Sequence, residues 1–79
     1  MGDSRTENVL IVNQVAGGRS RVIGHGLFIG RKGFQPTFIE RVQGSEAIVV
    51  TAYDTVAVTF TNLGYDAASA VFRVRFQEG

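Results

Sequence analysis

Residues 24–30, GHGLFIG, are the part of this chain most suggestive of chemistry, because Gly24, Gly26 and Gly30 surround the single histidine, His25. Glycine loops hold phosphates when bare backbone N–H groups converge on the anion at the start of a helix. Here the spacing is G-x-G-x-x-x-G and the surrounding alternation is that of a strand, so a nucleotide site is not expected. The glycines point instead to close approach by another backbone, a ring or a partner, or to sheet curvature. A catalytic His25 would need a nucleophile and an orienting acid. Ser20, Ser45, Ser69, Asp54 and Asp66 are present, but none sits in a nucleophile motif. His25 is therefore expected to be a partly buried, hydrogen-bonded side chain. One histidine without cysteines does not make a structural metal site. Asp54, Asn62 and Asp66 are oxygen donors of the kind calcium takes, and equally the residues with which turns cap their own backbone; the second role is expected. No catalytic, cofactor or metal residue is assigned, and the chain is expected to be non-enzymatic.

The remaining functional signal is charge. Basic residues are seven Arg and one Lys, a bias that suits planar hydrogen bonding and stacking. Net charge is only +1, but residues 8–39 contain Arg19, Arg21, Arg31 and Lys32 and no acid, while residues 40–72 contain Glu40, Glu46, Asp54 and Asp66 against Arg41 alone. That asymmetry favours an acidic protein surface as partner, or head-to-tail contact between copies. Arg19, Arg21, Gly24, Gly26, Phe28, Gly30, Arg31 and Lys32 together form the candidate interaction surface. Nucleic acid on a small barrel would use the same basic residues with Phe28, Phe34 or Tyr53 as stacking platforms. The nearly neutral balance argues against it.

The elements that must carry these residues are strands. Proline occurs once, at Pro36, no segment keeps helical periodicity, and turn residues recur every eight to twelve positions. Six strands are expected: Asn8–Ala16, Arg21–Gly30, Thr37–Val42, Ala47–Tyr53, Val56–Thr61 and Ser69–Gln77. In the second, Ile23, His25, Leu27 and Ile29 would share an apolar face opposite the glycines. The fourth and fifth form a hairpin across Asp54-Thr55. Lys32–Pro36 and Asn62–Asp66 are turns, the latter with Gly64 at positive φ. In the last strand Ala70, Phe72, Val74 and Phe76 point inward and Arg73 and Arg75 outward. Short strands with no crossover helix imply an antiparallel β-sandwich, with a small closed barrel as the alternative.

At 79 residues the chain has room for one domain, residues 8–79, behind a polar tail of residues 1–7. A domain of this size buries only about 60% of its unfolded surface. Without cysteines, oligomerisation is the reinforcement left to it. With 44% hydrophobic and 19% charged residues it is expected to fold. No apolar run approaches the roughly 18 residues of a membrane helix, and the polar start MGDSRT is not a secretory signal. That start does fit the pattern for N-myristoylation, which short polar sequences match by chance.

Residues 56–76, VAVTFTNLGYDAASAVFRVRF, resemble the closing hairpin of bacterial immunoglobulin-like domains of the cell-adhesion-related type. Thr61, Asn62, Gly64, Ala67 or Ala68 and the alternation from Val71 to Phe76 carry the likeness. The resemblance implies an immunoglobulin-like sandwich with a binding or spacer role, and brings no catalytic residue. The expected function is a structural, protein-interacting module that forms homo-oligomers or docks on a larger assembly, as a virion decoration protein or an adhesion and spacer domain does. The sequence assigns no compartment; a virion or an extracellular surface is compatible with such a module.

Overall fold

A computed structural model describes residues 3–14, 22–54 and 57–79. The chain is all-β: β1 (Ser4–Asn13), β2 (Val22–His25), β3 (Phe34–Gly44), β4 (Ile48–Tyr53), β5 (Val58–Asn62) and β6 (Ala68–Glu78). They form two antiparallel sheets, one ordered β2-β1-β6-β3 and the other the β4-β5 hairpin, and neither closes into a barrel.

Alternation explains the larger sheet. Val9 and Ile11 of β1 and Ala70, Phe72, Val74 and Phe76 of β6 are buried on one face, while Arg73 and Arg75 are exposed on the other. Period two places every second residue on the same side, so the expected inward set of β6 is the observed one. Ile48 of the hairpin completes a core of seven buried apolar side chains among the described residues. The hairpin covers one end of the core face, where Phe60 meets Phe72 at 4.9 Å between ring centroids. There Arg41 Nη1 also donates to the Ile48 carbonyl at 3.1 Å. The loop after β2 covers the other end, with Phe28 against Phe34 at 5.0 Å and Phe76 at 6.2 Å.

Several boundaries differ from expectation. β1 begins at Ser4, so residues 4–7, expected in a polar tail, pair with Gln77 to Val74. Pro36, expected in a turn, lies inside β3, buried opposite Phe76. β3 is an edge strand, where a residue without an N–H is tolerated, and two bulges, between Pro36 and Phe38 and between Arg41 and Gln43, interrupt its ladder. Gly44 ends it at φ 101°; a Cβ there would lie 2.4 Å from Ala70 Cα, so the close β3–β6 approach requires glycine. Gly64 is not at positive φ. Its turn is formed instead by Asn62, whose Oδ1 accepts from Gly64 N at 2.8 Å and whose Nδ2 donates to the Asp66 carbonyl at 2.9 Å. β5 and β6, which the resemblance joins as one closing hairpin, lie in different sheets.

The largest difference is β2, expected over Arg21–Gly30 and observed only over Val22–His25. The N–H groups of Leu27, Phe28 and Ile29, which a longer strand would turn to a ladder, donate to the carboxylate of Glu7 instead. Leu27 is 77% exposed and His25 is exposed opposite Leu10, so neither belongs to the expected apolar face.

The molecule measures 46 × 20 × 18 Å. Its long dimension follows the strands, since the eleven residues of β6 extend about 35 Å at the rise of a strand.

Candidate interaction surface

The glycine run does work as an anion cradle, and the anion is the chain's own. Glu7 Oε1 accepts from Leu27 N at 2.7 Å, and Oε2 accepts from Phe28 N at 2.8 Å and Ile29 N at 3.1 Å. Three successive N–H groups on one carboxylate form a nest, the backbone geometry that also suits phosphates. Gly26 makes it possible: a Cβ there would stand 2.8 Å from Glu7 Oε2. Gly24 serves a second close approach, because its missing Cβ would be 3.3 Å from Ile11 Cδ1 and 3.5 Å from Ile29 Cδ1. What stands against these two glycines is thus a carboxylate and two isoleucine side chains of the chain itself.

Glu7 stands among polar residues, between Thr6 and Asn8, where no local pattern marks it. The only signal for it is indirect: consecutive N–H groups after a glycine pair need an acceptor when they leave the ladder.

Of the basic candidates, Arg31 and Lys32 lie on the turn leading into β3, and Arg19 and Arg21 lie outside the described residues. The Arg31 guanidinium stands 5.6 Å from the Phe28 ring centroid and 5.4 Å from that of Phe34. This is stacking range for a cation on aromatic faces. Phe28 and Phe34 are thereby engaged with one another, with Phe76 and with Arg31, while Tyr53 is 47% exposed. A pocket of about 240 Å³ is lined by Gly30, Arg31, Lys32, Gly33, Phe34 and Gln35.

Elsewhere Arg75 stacks on Phe38 at 5.6 Å, and Arg73 Nη1 pairs with Glu40 Oε1 at 2.7 Å on the sheet's outer face. Both partners of that ion pair are about half exposed, and such pairs contribute about 0–1 kcal/mol. Arg73→Ala is expected to shift unfolding stability by no more than about 1 kcal/mol. A urea titration checks this, and a larger loss would mean that the outer face is more than a solvated surface.

The oxygen donors are not brought together. Asp54 accepts from Ala57 N at the connected end of the hairpin, whereas Asn62 and Asp66 lie at its other end, about 17 Å away along β5. Among the described residues no group of three His, Cys, Asp or Glu could share a metal ion, and no helix is long and apolar enough to cross a membrane. The turn into β3 thus carries a stacked arginine with a small pocket beside it. Comparison with family models, with curated proteins and with solved structures finds no match to this chain.

Proposed function

We propose that this chain is a non-enzymatic protein-interaction module that self-associates or docks on a larger assembly. The observation that carries the reading is the contrast between a core of seven apolar side chains and the apolar side chains left in water, with Leu27 77%, Leu63 67% and Tyr65 87% exposed. A small domain without disulfides gains stability by covering such groups against another protein. All four sheet margins, β2, β3, β4 and β5, also lack a neighbouring strand within the described residues, and open edges are managed in nature by covering them. An adhesion or spacer role is implied by the sequence resemblance of residues 56–76 alone, since β5 and β6 do not pair as one hairpin. The apolar side chains left exposed suit a virion decoration role equally. Nucleic-acid binding is the weaker reading, because Phe28 and Phe34 have their faces engaged.

Sedimentation from low micromolar to about 100 µM tests the proposal, that range covering ordinary protein association energies. The expected result is a species heavier than the 8.5 kDa protomer, growing with concentration. A monomer throughout, with one cooperative thermal transition, would overturn the self-associating form of the reading.

A further inference from the structure

We propose that copies of this chain join head to tail, the β5–β6 turn of one inserting Tyr65 into the pocket between Gly30 and Gln35 of the next, with Leu63 packing at its rim; this rests on the self-associating reading above. The turn is held rigidly although it presents apolar groups to water. Asn62, only 4% exposed, fixes it through Gly64 N and the Asp66 carbonyl, and Leu63 N donates to the Ala47 carbonyl at 2.8 Å. Leu63 and Tyr65 are therefore displayed on an ordered backbone, which lowers the ordering cost of inserting them into a partner. Tyrosine is also among the residues that most often dominate interface energies.

The receiving site lies at the other end of the same sheet. β6 starts beside the turn at Ala68, and its far end pairs with Phe34 through Glu78, where Gly79 N donates to the Gly33 carbonyl at 3.0 Å. There Phe34 supplies an apolar wall, and the positions a Cβ would take on Gly30 and Gly33 have no heavy atom within 4 Å. At about 240 Å³ the space is smaller than the roughly 300–1,000 Å³ of small-molecule sites and suits a single side chain.

Charge favours the pairing. The described charged residues around the turn are Asp66 and, next to Ala47, Glu46, against Arg41, whose guanidinium reaches the Ile48 carbonyl, leaving one acid in excess. At the pocket Arg31 and Lys32 outweigh Glu78, since Asp3 is held by Arg5 at 3.3 Å. Because knob and socket are different surfaces at opposite ends, the contact is heterologous and propagates into a filament or closes into a ring.

Two full-length variants test this, Leu63→Ser/Tyr65→Ser for the knob and Arg31→Glu/Lys32→Glu for the socket, each first checked for wild-type circular dichroism. Light scattering of the wild-type chain should show a ladder of oligomers, and each variant alone should associate at least tenfold more weakly. An equimolar mixture should restore a one-to-one complex and stop there, because it holds one intact interface. Wild-type chains that oligomerise regardless of either variant, or variants whose mixture stays monomeric, would overturn the head-to-tail route while leaving self-association standing. A monomeric wild-type chain would overturn both. If a socket variant loses its circular dichroism, Lys32→Glu alone replaces it in the same mixture.

Discussion

Phe76→Ala is expected to lower the melting temperature by at least about 12 °C. Phe76 is 2% exposed, lies opposite Arg5 and Pro36 on its flanking strands, and carries the Phe28 ring on its face. Removing a buried phenyl costs about 3–5 kcal/mol. At about 0.05–0.15 kcal/mol per residue, a chain of 79 residues has roughly 4–12 kcal/mol in total. Loss of one ring therefore consumes much of the stability, whereas Tyr65→Ser, at an 87% exposed position, should leave the melting temperature of the protomer nearly unchanged. Circular dichroism melts of both variants check the pair of outcomes. A fall of less than about 4 °C for Phe76→Ala, equivalent to about 1 kcal/mol or less in a domain this small, would show that the aromatic end is not part of the cooperative core.

Glu7→Ala should have the next largest effect, about 2–4 kcal/mol, because it removes a charged acceptor from three backbone N–H groups, two of them partly buried. Glu7→Gln should fall between, since the amide keeps one acceptor oxygen and turns an NH₂ toward donors. Gly26→Val should behave like Glu7→Ala, its side chain occupying the carboxylate's place. Urea unfolding gives the stability, and hydrogen exchange at Leu27, Phe28 and Ile29 gives the local effect. Unchanged exchange at those three amides in Glu7→Ala would show that the loop is held by its apolar contacts alone.

These two residues also mark what was legible in the amino-acid sequence. Phe76 was legible because β6 buries one face and exposes the other, so local alternation carries the answer. The β4–β5 hairpin was legible for a similar reason, with β-branched runs on both sides of a short connection. β2 was not. Its glycine alternation imitates a strand through Gly30, and what ends it is a carboxylate nearly twenty residues earlier, which no local period registers. Pro36 misled in the opposite direction: it reads as a turn residue unless β3 is known to be an edge. At the interaction surface, Arg31 and Lys32 were placed by charge alone. The stacking of Arg31 on Phe28 and Phe34 depends on a loop path set by Glu7, so its geometry was beyond sequence reasoning.

The position of β6 between β1 and β3 governs the order in which the protein can assemble. It contributes four of the seven buried apolar side chains and is the last strand in the chain, with Ser4 opposite Gln77. The β1–β2 and β4–β5 pairs join neighbours in sequence and are the local structure a growing polypeptide can form. β1 and β3, by contrast, have no contact with each other in the sheet until β6 fills the slot between them. Completing the larger sheet requires closing a loop of nearly the whole chain, a topology associated with folding in milliseconds to seconds. Without the segment from Ala68 onward the chain holds hairpins but no larger sheet, with Val9 and Ile11 uncovered, so the core forms only when β6 enters between β1 and β3.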